Sequence, residues 1–296
     1  MNIFDLQREF SAISPDAVQL DFLEKYLQPG DSIFVQPISG FVTSSREMGA
    51  EDVAKYWSEV IFPDSSQESY SAQFPFAKAR LLYVLETTAQ FLKLNSRSNL
   101  AWCDFATGEG VFLELLRRFY PSVEIYGTEH SAALVKQLKS QNFNVSEKAL
   151  GSVKAGNNKL FDVSTLSWTL ANCIDPLAVL SDVVSQTQIG GYVSIAESSR
   201  VLVPYKKSLK DYFSRATPAD LHPSNFSANT LRCLMQIAGL EICYTNRYFD
   251  SDVLLVIGRR IENEVKPTYF DSIDDVVHFF KEWDMQSHYF ENLRNS

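Results

Sequence analysis

The chain has 296 residues, 45% of them hydrophobic and 21% charged, with a formal net charge of −9 and an isoelectric point near 5.0. The acidic balance disfavours a nucleic-acid partner, whose binding depends on neutralised phosphates, and no apolar run approaches the ~20 residues of a membrane span, so a small-molecule substrate and no membrane insertion are expected. Acids appear early in the N-terminus, which lacks the basic-then-apolar pattern of a leader, and Cys103, Cys173, Cys233 and Cys243 occur singly, so the expectation is a cytoplasmic protein with buried reduced thiols and no metal site.

Residues 1–98 read as a helical N-terminal section facing the substrate. In AEDVAKYWSEVIF, Val53, Trp57, Val60 and Ile61 fall on one face of a helix. A longer helix starts at Pro75, a residue suited to a first helical turn, with Ala77, Leu81, Leu85, Thr88 and Leu92 along its stripe. The loop between them, PDSSQESYSAQFP, reads as a mobile lid. Tyr70 in that loop and Arg80 on the next helix are candidates to close a pocket. Arg80 either attracts a ligand carboxylate or makes a surface salt bridge.

Polar residues 95–99 form a boundary, after which short apolar runs alternate with helical stretches. Strands are predicted over 100–105, 123–128, 144–150, 161–168, 192–196, 241–248 and 253–259, and helices over 110–119, 132–141, 176–187 and 228–238. Such alternation implies a mostly parallel sheet covered on both faces. The last two strands lack an intervening helix, so they pair as a hairpin and the final strand runs antiparallel. This α/β domain spans 99–262. A C-terminal helical tail follows over 263–296, with Ile273, Val276, Val277, Phe280 and Trp283 at helical spacing.

In LAWCDFATGEGVF the first strand of that domain ends near Asp104 and runs through Gly108 and Gly110 into a helix. Glycines let the backbone turn tightly and bring N–H groups against a ligand, as in a nucleotide-cofactor turn. Ala106 precedes them at a position that is strained if it requires positive φ. The second strand ends in Glu129, where a carboxylate can accept both hydroxyls of a ribose. Two plainer roles stay open: Asp104 as a cap of the turn, and Glu129 as a neighbour of an N-cap at Ser131. Leu113 stands where a dinucleotide fingerprint places a third small residue, which disfavours NAD.

The turn DFATGEG resembles the first motif of class I S-adenosylmethionine-dependent methyltransferases, an acid followed by alternating glycines, with Ala106 in place of the first glycine. The stretch FDVSTLSWTLANCIDPLAVLSDVVSQTQIGGYVSIAE is similar to the strand-four-to-strand-five region of that superfamily, in which Gly190-Gly191 turns the chain into strand five. LHPSNFSANTLRCLMQIAGL resembles the segment before strand six in its small-molecule members. The resemblance covers residues 100–260. It implies a Rossmann-like seven-stranded methyltransferase sheet with an antiparallel last strand, a helical N-terminal extension, S-adenosyl-L-methionine as cofactor, and methyl transfer to a sugar, lipid or other metabolite.

It also implies roles. Asp104, Ala106, Gly108 and Gly110 pass under the methionine portion of the cofactor, with Asp104 anchoring its amino group and Glu129 the ribose. Trp168 and Thr169, at the carboxyl end of strand four, face the transferred methyl, with core packing the other role open to Trp168. His222 is the candidate base for a substrate hydroxyl, or else a loop-orienting residue. Relatives often carry a histidine where this chain has Asn172. Two rival functions stay open: a nicotinamide-dependent oxidoreductase sharing Glu129, and a non-catalytic methyltransferase-like partner or regulatory protein. The acceptor atom and the oligomeric state, a homodimer included, are also open.

Overall fold

Seven strands assemble into one sheet in the computed structural model, which describes residues 2–45, 75–95, 98–151, 159–205, 207–213 and 222–295. The strands are β4 (Ala101–Phe105), β5 (Glu124–Glu129), β6 (Asn144–Glu147), β7 (Phe161–Ser167), β8 (Thr187–Ser198), β10 (Leu240–Thr245) and β11 (Val253–Arg260), in the spatial order β10-β11-β8-β7-β4-β5-β6. β4 to β8 pair in parallel, and β11 runs antiparallel to both its neighbours, as the missing helix before it requires. β4 is flanked by β5 on one side and β7 on the other, which makes its carboxyl end the switch point at which open α/β sheets form a ligand crevice.

Both faces of the sheet are covered. On one, helices α2 (Pro75–Phe91) and α3 (Val111–Phe119) bury Val84, Leu85, Phe112 and Leu116 against Trp102, Val163 and Leu255. On the other, α1 (Ile3–Glu9), α5 (Pro176–Ser185) and α7 (Ala228–Ile237) pack Leu6, Leu180 and Leu234 against Cys103, Ile195 and Val256. Adjacent residues of β4 therefore enter opposite cores, and all five of them are buried. The remaining major-sheet helix, α4 (Ala132–Ser140), begins with Ser131 as its N-cap and buries Val135 and Leu138 beside Leu113. Leu113 approaches Gly127 of β5, where an added Cβ would lie 3.1 Å from its Cδ1. Close helix-to-strand packing is achieved here with the glycine on the strand.

Two features differ from the sequence expectation. The residues before the sheet hold helices, as expected, but also the short strands β1 (Val18–Gln19), β2 (Ser32–Val35) and β3 (Val42–Ser45). With β9 (Ser224–Asn225) they form a separate antiparallel sheet, β1-β2-β3-β9. Helix α8 (Ile273–Asn295) packs back as its amphipathic spacing implies: Val276, Phe280 and Trp283 share one core with Ile33, Val35 and Val42 and with the short helix α6 (Leu209–Phe213). Finally, Gly190-Gly191 does not lead into a strand but lies inside β8, where the register against β7 shifts between Phe161 and Val163. The helix expected over 50–62 and the loop after it lie outside the described residues.

The link between the small sheet and α8 depends on Gly40, in the β2–β3 connection. It has φ +70°, and an added Cβ would sit 2.5 Å from the Asp271 carbonyl oxygen and 2.8 Å from Asp271 Cβ. The neighbours are the backbone and its nearest side-chain atom, with no flexible end to yield. Gly40→Ala is therefore expected to destabilise the protein by about 3 kcal/mol, combining left-handed strain with overpacking, and to lower the melting temperature by roughly 5–10 °C. A melt within about 2 °C of the parent, worth about 1 kcal/mol or less, would contradict that packing.

Candidate active site

The crevice is bordered first by the turn after β4. Ala106, Gly108 and Gly110 have φ of 54°, 56° and 80°, an alternation of left-handed residues that leads into the first turn of α3. The loop is tied to β5 by bonds from Thr107 N to Thr128 O (2.9 Å) and from Ala106 N to Thr128 Oγ1 (3.3 Å). Ala106 does occupy a conformation suited to glycine, so the local strain foreseen from the sequence is present.

Two carboxyls lie beside this turn, with opposite electrostatics. Asp104 is 4% exposed, and burial, reinforced by the nearby Glu129 charge, pushes its pKa up to about 7. Glu129 is 3% exposed, and burial would raise its pKa too, but His130 and the N–H groups of Ser131 and Gly108 outweigh that and hold it below the ordinary range. Its Oε2 accepts from Gly108 N (2.9 Å), and its Oε1 from His130 N (2.9 Å) and Ser131 N (3.0 Å). Glu129 thus braces the glycine turn against the start of α4, while Ser131 is the cap.

Beyond β7 the chain enters a turn bearing the next group of candidates. Trp168 has φ 52°, an uncommon value for a bulky residue; it is half-buried against the α2–α3 core, and its Nε1 has no hydrogen-bond partner among the described residues. Thr169 Oγ1 donates to the Ser167 carbonyl (3.1 Å). The Trp168 carbonyl accepts from Asn172 Nδ2 (3.0 Å), which orients the amide so that its Oδ1 meets His222 Nδ1 at 2.8 Å. An amide oxygen only accepts, so Nδ1 carries the proton and the neutral ring keeps its lone pair on Nε2.

His222 is held from behind as well. Its carbonyl accepts from Ser44 Oγ (3.1 Å) and Asn225 Nδ2 (3.1 Å), and Asn225 Oδ1 accepts from Tyr212 OH (3.0 Å). The carbonyl of Pro223 accepts from Ser44 N (3.0 Å) and Thr43 Oγ1 (2.9 Å). The small N-terminal sheet is thus the frame that seats the segment carrying the imidazole. Against this frame lies a cavity of about 210 Å³ lined in part by Phe10, Phe41, Thr43, Ser44, Ile174 and Pro223.

The structure brings Asp104, Ala106, Gly108, Gly110 and Glu129 together, and joins Trp168 to His222 through Asn172. Arg80 pairs with Asp252 and lies over the Phe76 ring, the surface ion pair among the two roles open to it. Tyr70 lies outside the described residues. The four cysteines are free, but Cys243, on the outermost strand β10, is exposed rather than buried, and Cys173 only partly buried. Sequence inspection passed over Glu197, a buried acid near the end of β8, although an acid closing an apolar strand is the very signal that Asp104 and Glu129 gave.

A sequence model of a family described as Methyltransferase domain matches residues 76–245. The demethylmenaquinone methyltransferase of Paenarthrobacter aurescens (strain TC1) is 40% identical over 60 residues, 20% of this chain and 24% of that protein, so the match spans about a quarter of the curated relative. Similar solved structures include the plantazolicin methyltransferase BpumL in complex with SAH, at TM-score 0.52 and 12% identity over 70% of this chain and 94% of that one. A chain of the complex between the Haloferax volcanii Trm112 methyltransferase activator and a methyltransferase gives TM-score 0.51 and 11% identity over 71% and 98%. At such identities the likeness is one of fold. Among the described residues, no helix is long and apolar enough to cross a membrane.

Proposed function

The chain belongs to the methyltransferase-domain family, within the class I S-adenosylmethionine-dependent superfamily, and from that premise we propose that it moves a methyl group from S-adenosyl-L-methionine to a hydroxyl of a small metabolite. The observation that carries this reading is the pairing of two unlike carboxyls beside one glycine turn. Asp104, buried and lacking an ion-pair partner among the described residues, is suited to a ligand ammonium, which would offset the cost of ionising it. Glu129 stays ionised and is suited to a pair of ribose hydroxyls. The glycines at 108 and 110 allow a ligand to approach the backbone.

The cofactor would supply an already activated methyl on a sulfonium, so the chain's own task is to place the acceptor, exclude water and remove a proton. His222 is suited to the last of these: with Nδ1 donating to Asn172, Nε2 is the nitrogen that takes the hydroxyl proton as the new bond forms.

Calorimetric titration tests the proposal. S-adenosylhomocysteine is expected to bind the purified protein in the micromolar range, on the order of 8 kcal/mol, and NAD is expected to give no heat. Saturable binding of NAD with none of S-adenosylhomocysteine would overturn the cofactor assignment.

A further inference from the structure

We propose that Glu197 is a positioning residue for His222, acting through the turn that carries Asn172. This rests on His222 serving as the base. Glu197 is 1% exposed, near the carboxyl end of β8, and its Oε1 accepts from the N–H groups of Leu170 (2.7 Å) and Ala171 (3.4 Å). Those two residues open the 3-10 turn Leu170–Asn172, and the third residue, Asn172, meets the imidazole. A continuous chain of bonds therefore runs from a central strand of the sheet to the ring: Glu197, turn, Asn172 amide, His222 Nδ1.

Each link has a defined direction. The turn's N–H groups need a buried acceptor, and Glu197 Oε1 provides it. The amide is oriented from its other end by the Trp168 carbonyl, so its oxygen faces the ring. Moving the turn shifts the amide and weakens the bond that favours the Nδ1–H tautomer. Oε2 of Glu197 has no partner among the described residues, so the acid's hydrogen bonding is invested wholly in this turn. Burial also pushes its pKa up to about 7, which fits a group used as an acceptor rather than as a charge. An amide oxygen can accept the same two bonds. Glutamine should therefore replace Glu197, whereas alanine should not.

The test is the nitrogen NMR spectrum of protein labelled with 15N-histidine, whose ring shifts report which nitrogen is protonated. The chain has four histidines, and the signal of His222 is assigned by its loss in His222→Asn. At alkaline pH the parent and Glu197→Gln are expected to show mainly the Nδ1–H form. Glu197→Ala and Asn172→Ala are expected to shift the tautomer ratio roughly fivefold toward Nε2–H, the worth of one net hydrogen bond. If Glu197→Ala does not fold, Glu197→Asp, one methylene too short for both N–H groups, takes its place with the same expectation. A folded Glu197→Ala protein with the parent's tautomer ratio would overturn the proposal. So would a Glu197→Gln protein shifted as far as the alanine variant, because charge would then be the operative property. The readout involves no methyl transfer: a His222→Asn protein that keeps its activity would remove the base assignment and leave the tautomer coupling standing.

Discussion

Glu129→Ala is expected to weaken S-adenosylhomocysteine binding by roughly a thousandfold. In the proposed role, two ribose bonds to an ionised acceptor would contribute on the order of 4 kcal/mol together, since hydrogen bonds to charged groups are worth about 1.5–3 kcal/mol each. The variant also releases the Gly108 N–H and the N–H groups at the start of α4, so the glycine turn loses its brace. Glu129→Gln should fall between the two, because one amide oxygen cannot accept from both sets of donors and its NH2 group must face one of them. Calorimetry at pH 7 measures both variants, and an alanine variant within about threefold of the parent, less than one net hydrogen bond is worth, would show that Glu129 holds only the protein's own loops.

The second large effect is on stability as a function of pH. Asp104 and Glu197 both have folded pKa values of about 7, above those of the unfolded chain, so the folded state binds their protons more tightly. The stability they allow is complete below the unfolded values near pH 4, declines as pH rises through 7, and is level above that. From pH 5 to pH 8 each acid is expected to remove about 2–3 kcal/mol. Asp104→Asn and Glu197→Gln should therefore each be more stable than the parent at pH 8 and nearly equal to it at pH 4. Urea midpoints across that range check the difference between parent and variant, which isolates one group at a time. A difference that shrinks toward high pH has the wrong sign and would refute the burial argument. Glu129 behaves in the opposite way: its contribution is present above about pH 4.5 and is lost as pH falls through its lowered folded value.

The large sheet was legible because most of its strands carry a short apolar run and the parallel ones are separated by helical stretches, a pattern that local spacing alone reveals. The unhelixed link between β10 and β11 even gave the direction of the last strand. The turn at Gly108 and the acid at Glu129 were legible for a similar reason, since both follow directly from a strand end. The small sheet was not legible. Its strands are two to four residues long, and β9 joins β3 from far along the chain, so neither periodicity nor a hairpin signal marks it. The bulge at Gly190 and Gly191 was hidden because a glycine pair marks a turn and a strand irregularity equally well. Arg80 could not be assigned from sequence, because Asp252, its partner, is brought near only by the β10–β11 connection.

The pairing of β3 with β9 has a kinetic consequence. Thr43 and Pro223, which bond across that seam, stand 180 positions apart, so the seam closes only after the chain between them has found its place. The glycine turn and Glu129, by contrast, are assembled from neighbours in a local strand-helix-strand unit. A maturing or partly melted molecule should then acquire its nucleoside crevice early and its imidazole late. On the proposed roles, occupancy of the crevice and turnover would part company in such a species, with the methyl donor held while the proton acceptor is still adrift.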